Sequence, residues 1–311
     1  MLTHTGTLYL TTVLIWGSTF FAIKFQLGEV PSEVSVAYRF ALAALILLAW
    51  CHWQKLPMRF KPGQHLWMMA QGLTLFGLNY LVVYWATAHL TSGLIAVVFS
   101  TIVLMNIANG AVFFRKRPDA SVLAGAVIGL LGIGLVFLPE LASLEVDGAA
   151  LNGLVLSVLG TFIASLGNMV STRNQRAGLP VVQTNAYGMA YGATLLALIA
   201  VLQDRPFVYS AHWAYTASLV YLALFGSVLA FGSFLTLLGR IGAERAAYAM
   251  VAFPIVALGI STLFENYHWT PAALAGVALV LLGNVIILVP RAPLRRLLHL
   301  LHPGGARTPQ S

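Results

Sequence analysis

The sequence predicts an all-α integral membrane protein with ten transmembrane helices arranged as two inverted five-helix repeats. Three observations carry that prediction. Of 311 residues, 59% are hydrophobic and 8% charged, against roughly 45–50% and 25% in soluble domains. The bilayer, not water, is the solvent that suits such a surface. The apolar residues also gather into ten runs, each close to the roughly 20 residues a membrane helix needs. Finally, one of those runs is written twice.

The doubled run is Leu123–Pro139, LAGAVIGLLGIGLVFLP, matched without a gap by Leu274–Pro290, LAGVALVLLGNVIILVP. Leu123, Ala124, Gly125, Leu130, Leu131, Gly132 and Pro139 meet Leu274, Ala275, Gly276, Leu281, Leu282, Gly283 and Pro290. Small residues and a terminal proline at fixed spacing point to an ancestral duplication. The first spans of each half echo one another more weakly: Lys24, Gln26, Pro31 and Tyr38 fall opposite Arg173, Gln175, Pro180 and Tyr187.

The ten spans are expected near Gly6–Phe25, Val34–Trp53, Leu66–Ala86, Gly93–Phe114, Val122–Leu138, Leu151–Val170, Thr184–Leu202, Trp213–Leu238, Ala246–Phe264 and Pro271–Val289. Positive charge lies in the loops after even-numbered spans: Lys55, Arg59 and Lys61, then Arg115, Lys116 and Arg117, then Arg173 and Arg176, then Arg240 and Arg245. The loops after odd-numbered spans carry Glu29 and Glu33, then Glu140, Glu145 and Asp147, then Asp204 beside Arg205, then Glu265. The positive-inside rule then puts both termini in the cytoplasm. Five spans is an odd number, so the second half enters from the opposite side, as in many secondary transporters. The expected units are residues 1–140, residues 149–290 and a basic cytoplasmic tail, 291–311. The acidic stretch Glu140–Asp147 is the linker, and the tail has an apolar side that suits the inner leaflet.

Several classes fall away. Continuous apolar runs do not alternate as barrel strands do. The first run lacks a basic leader region and is long enough to span, so it reads as a helix rather than a cleaved signal. A single cysteine, Cys51, excludes a disulfide framework. The net charge of +8 sits in loops between spans, a topology signal rather than a nucleic-acid footprint. There is no phosphate-binding glycine loop and no cluster of His, Asp, Glu or Cys with metal or acid–base spacing. No enzyme activity, metal or cofactor is expected.

Trp16-Gly17-Ser18 in the first run, Arg39-Phe40 in the second and Leu90–Val97 (LTSGLIAV) before the fourth, taken in order with the duplication, resemble the drug/metabolite transporter superfamily. Its ten-helix EamA-type family is the closest match, over about Gly6 to Pro290. The resemblance implies helices around a central cavity, alternating access, and export of small metabolites such as amino acids, aromatic ones included, across a bacterial inner membrane. Drug or nucleotide-sugar transport in the same superfamily is the alternative. Many members carry a mid-span proline where Val103 stands here; its repeat partner, Pro254, is kept. The Gly-Glu common after the fourth span is Phe114-Arg115.

Polar or aromatic residues in mid-span are the candidates for contact with a solute. The third run offers Asn79, Tyr80 and Tyr84, the two tyrosines sharing a face at i, i+4, with Phe231 at the position of Tyr80 in the second half. The fourth gives Phe99 and Ser100, although Ser100 serves equally well by bonding its own helix. Trp16 and Thr19, Asn168, and Tyr248 ahead of Pro254 complete the set. Pro254 is expected to kink its span. Arg39 reads two ways, as an anion contact or as a stem that snorkels outward to Glu33 or lipid phosphate; the second is favoured. The glycines at 125, 129, 276 and 283 read as close helix packing, homodimerisation being the minority reading. With no Asp or Glu in mid-span, facilitated or weakly coupled export is expected.

Overall fold

The computed structural model describes residues 4–115, 120–136, 148–241 and 248–288. Among them are ten helical rods: α1 (Thr5–Lys24), α2 (Ser32–Trp53), α3 (Pro62–Thr87), α4 (Ser92–Phe114), α5 (Ala120–Val136), α6 (Ala149–Arg176), α7 (Val181–Leu202), α8 (from Trp213 to Ile241), α9 (Tyr248–Phe264) and α10 (Pro271–Leu288). Seven, α1–α4 and α6–α8, are long and apolar enough to cross a membrane by length and composition; the other three are shorter apolar helices. The expected linker, the tail from 291 and Glu244 lie outside the described residues.

Leu10, Leu14, Leu45, Val112, Leu198, Leu263 and Leu274 all point away from the protein and are more than half exposed. An outward face this apolar is that of a multi-pass membrane protein. Tryptophans mark its ends, with Trp53 closing α2 and Trp213 opening α8, both largely exposed, as interfacial indoles are.

The helix neighbours pair off. α1 packs on α9 as α6 packs on α4; α3 lies on α6 as α8 lies on α1; α2 meets α8 as α7 meets α3; and α2–α7, α4–α9 and α5–α10 contact one another. The α5–α10 contact is the most extensive among the described residues, and glycine makes it. A Cβ on Gly132 would come within 2.6 Å of the Gly276 carbonyl, one on Gly276 within 2.6 Å of the Gly132 carbonyl, and one on Gly283 within 2.6 Å of the Gly125 carbonyl. The expected packing role of these glycines is therefore met inside the chain. Gly17 approaches Val256 on α9, and Gly93 approaches Leu258 and Ser261 on α9. The glycines of the two family-like motifs thus let α1 and α4 sit against the same partner.

Three departures from regular α-helix matter. α3 widens into a π-helical stretch at Gly72–Leu78, and α8 does so at Leu222–Leu229, each ending one or two residues before a residue anticipated as functional (Asn79, Tyr80, Phe231). A π turn inserts extra backbone and re-aims the side chains beyond it. α4 is interrupted at Ser100–Thr101 between Ser92–Phe99 and Ile102–Phe114. Ser100 Oγ donates to the Val97 carbonyl (2.7 Å) and Thr101 Oγ1 to the Val98 carbonyl (2.6 Å), bonds that compete with the helical ladder and bend it. The mid-span interruption of α4 is thus made without proline, while α9 stays helical through Pro254.

α6 runs past the expected end at Val170 to Arg176, because its polar last turns face inward. Asn174 Nδ2 donates to Gln71 Oε1 (3.0 Å) and the Trp67 carbonyl (3.2 Å), while Gln71 Nε2 donates to Asn185 Oδ1 (3.1 Å), joining α3, α6 and α7. Gly276→Val should lower the thermal unfolding midpoint in detergent through overpacking worth about 1–3 kcal/mol. Gly134→Ala, where nothing lies within 4 Å of the new Cβ, should leave the midpoint unchanged or raise it.

Candidate functional site

A cavity lies at the centre of the bundle, between α1, α3, α4, α6, α8 and α9. Trp16, Thr19, Asn79, Tyr80, Phe99, Asn168 and Phe231 all line it, together with Phe20, Ile23, Leu75, Val83, Ile102, Ala164, Phe234, Met250 and Phe253. Its walls are aromatic. Trp16 meets Phe231 edge-on (5.0 Å between centroids) and Phe234 at a tilt (5.1 Å). On another side Phe20 stacks on Phe253 (5.7 Å) and meets Phe99 edge-on (5.7 Å). Such quadrupolar arrangements suit flat or apolar guests.

Each polar group here has a positional cause. Trp16 Nε1 donates to the Gly226 carbonyl (3.3 Å) in the π-helical part of α8, which locks the indole against the wall. Asn168 Nδ2 donates to Asn106 Oδ1 (3.3 Å), which fixes the amide on the cavity wall. Asn79 Nδ2 donates back to the Leu75 carbonyl (3.3 Å), and its buried Oδ1 has no partner. Pro254 has no N–H for the carbonyl four residues earlier, at Met250, and Met250 lines the cavity.

Other anticipated residues go elsewhere. Tyr84 is fully buried and does not reach the cavity. Four residues of α-helix turn through about 400°, so Tyr84 stands about 40° round from Tyr80. Ser100 is spent on its own helix, with Asn284 Nδ2 reaching its hydroxyl at 3.4 Å. Tyr248 opens α9, and its side chain lies outside the described set. The snorkelling expected of Arg39 is corrected. Arg39 is 0% exposed, its Nε donates to Ser227 Oγ on α8 (3.1 Å), and its guanidinium lies 4.4 Å from the Tyr80 ring centroid and 5.2 Å from that of Phe40. Two rings and α8 hold the stem inward.

The sequence offered a signal for Phe20 and Ile23 that went unused: with Trp16 and Thr19 they form one face of α1 at i, i+3, i+4 and i+7. The knot at the Lys24 end of the bundle carried no such pattern. There Lys24 Nζ lies 2.8 Å from Glu265 Oε1, and the same carboxylate accepts the Ser92 backbone N–H (3.1 Å) and the hydroxyls of Ser92 and Ser261. Ser261 Oγ also accepts the Gly93 N–H (2.7 Å). A residue following α9 thus caps the N-terminus of α4, where backbone N–H groups favour an anion, and ties both to α1. Burial alone pushes the Glu265 carboxyl up, but Lys24, Ser261 and Ser92 outweigh it and hold the group below the usual carboxylate range. The knot is therefore intact above ordinary carboxylate pKa values and is lost as pH falls through the lowered one. The unfolding midpoint of the wild type should hold from pH 7 to about 5 and drop below about 4; Glu265→Gln should start lower at pH 7 and show a smaller acid drop.

An EamA-like transporter family model matches the chain twice, at residues 6–138 and 151–289. A probable amino-acid metabolite efflux pump of Salmonella typhimurium (strain LT2) is 26% identical over 289 residues, covering 90% of this chain and 93% of that protein. Protein PagO of the same strain is 21% identical over 287 residues, covering 91% and 92%. One solved crystal structure superposes with a TM-score of 0.68 over 94% of this chain and 98% of its own, at 19% identity, a likeness of fold alone.

Proposed function

The chain belongs to the EamA-like transporter family, and on that premise we propose that it is a secondary transporter exporting small organic solutes, amino acids or related metabolites of aromatic character, by alternating access to the central cavity. The observation that carries the reading is the cavity itself: an aromatic box between six helices, with the side-chain amides of Asn79 and Asn168 as its polar points. Flat apolar walls with few convergent polar groups are what a site for an amphipathic solute requires. The name of the Salmonella relative supports amino acids as the class.

Alternating access rests on two inverted five-helix repeats, a reading supported by the pairing of helix neighbours and by the reciprocal glycine contacts of α5 and α10. In such a contact residue i touches j′ while j touches i′: Gly125 meets Gly283, and Gly132 meets Gly276. The end bearing Lys55, Arg59, Lys61, Arg173 and Arg176 is the cytoplasmic one by charge, so the Lys24–Glu265 knot closes the outer end and must open once per export cycle. No described carboxylate stands in mid-span, which supports facilitated or weakly coupled movement.

Flux of labelled phenylalanine from proteoliposomes tests the assignment. Trp16→Ala and Phe231→Ala should each cut the rate by roughly tenfold or more, as loss of a buried aromatic anchor does, with unchanged insertion and unfolding midpoint within a few degrees. Ser100→Ala should retain at least half the rate. Wild-type rates in both aromatic variants would remove the cavity from the transport path.

A further inference from the structure

We propose that Arg39 is the binding site for the carboxylate of the transported solute, so that the cavity selects aromatic carboxylates over uncharged or cationic analogues of the same ring. The inference rests on the transporter reading above and names the substrate class of that same site.

Arg39 is a fixed cation, buried at 0% exposure within a membrane protein. Its Nε donates to Ser227 Oγ, whereas Nη1 and Nη2 are buried beside the Tyr80 and Tyr84 hydroxyls, form no well-aligned hydrogen bond and face no counter-charge. The described carboxylates that form ion pairs do so elsewhere, Glu265 with Lys24 and Glu29 with His212. A buried charge without a counter-charge is strongly unfavourable, and structures that keep one have a use for it. The two rings beside the guanidinium, Tyr80 and Phe40, screen it only in part.

The place is right as well. Tyr80 and Thr19 both line the cavity. A Cβ built on Gly226 would meet Thr19 Cγ2 at 2.9 Å and Arg39 Nη2 at 3.2 Å, so Nη2 reaches the same point of α8 that Thr19 touches from the cavity side. The guanidinium therefore stands behind the Thr19–Tyr80 wall, with its two free nitrogens forming the fork that matches a carboxylate bidentately. The Tyr84 hydroxyl, buried within reach of the same guanidinium, is a third donor in the same neighbourhood. Rotation of the Tyr80 side chain opens the way, and the aromatic body of the solute then fills the space between Trp16, Phe231 and Phe99.

The test uses the full chain, purified in detergent, as wild type and as Arg39→Gln. Thermal unfolding is followed with no ligand, with 3-phenylpropanoate, with phenethylamine and with inorganic phosphate. For the wild type, 3-phenylpropanoate should raise the midpoint by about 3 °C or more, and phenethylamine and phosphate should not. Arg39→Gln should unfold at a higher temperature than the wild type without ligand, because it removes an uncompensated charge, and should lose the carboxylate response. A merely structural Arg39 predicts the opposite, a lower ligand-free midpoint, and that result would overturn the proposal. So would a carboxylate shift that survives in Arg39→Gln, a wild-type shift equal for acid and amine, a shift with phosphate alone, or no shift at all. Flux in proteoliposomes separates this from the reading it rests on. Transport of phenethylamine without any carboxylate shift keeps the transporter and overturns the subsite. A carboxylate shift abolished by Arg39→Gln, with no flux of either compound, keeps the subsite and overturns transport.

Discussion

Helices that already sit in hydrocarbon gain little by burying apolar surface against one another, so something else must hold them. Here that constraint is met by close backbone approach at glycine and by polar ties between helices. Gly132, Gly276 and Gly283 bring α5 and α10 together; Gly72 and Gly188 bring α3 onto α7; Gly17 and Gly93 bring α1 and α4 onto α9. Asn174, Gln71 and Asn185 tie one end, and Glu265 with Lys24, Ser92 and Ser261 ties the other. Contacts made at the periphery and the ends leave the centre of the bundle free of structural duty, and that is where the aromatic cavity lies.

The two halves differ where function would need them to. Continuing the offset that sets Tyr38 opposite Tyr187, Arg39 falls opposite Gly188. Gly188 packs its backbone against the π-helical stretch of α3, while Arg39 reaches the π-helical stretch of α8 at Gly226 and Ser227. Likewise Tyr80 faces Phe231 as its counterpart, one with a hydroxyl and one without, their rings 6.3 Å apart. A duplicated scaffold gives symmetric packing; a cavity that must orient a solute requires such departures from symmetry.

The seven long apolar helices, the doubled α5/α10 run and seven of the sixteen residues that line the cavity were legible because they rest on composition and helical spacing. Trp16 deep in its run, Asn79 and Asn168 in lipid-compatible helices, and Tyr80 opposite Phe231 all break the expected apolar pattern, and a break in a strong pattern is easy to see. The inward course of Arg39 was not legible. Its distance from the span end fits a snorkelling stem as well as a buried one, and the choice is made by Tyr80, Phe40 and Ser227, two of which are remote in sequence. The break in α4 escaped because Ser100 and Thr101 interrupt a helix by side-chain bonds, where sequence reading looks for proline. The π-helical stretches left no residue signature, and the Glu265 knot joins residues 173 and 241 positions apart on three helices.

The central claim is that the cavity communicates with both sides of the membrane in turn. Cys51 is the chain's only cysteine and is buried, so a Cys51→Ala, Thr19→Cys protein carries one reporter, on the cavity wall. Oriented vesicles would be treated with a membrane-impermeant thiol reagent from one face and then, separately, from the other. The account predicts modification from either face, slowed by a transported solute in both cases. Modification from one face only, at a rate the solute does not change, would contradict it.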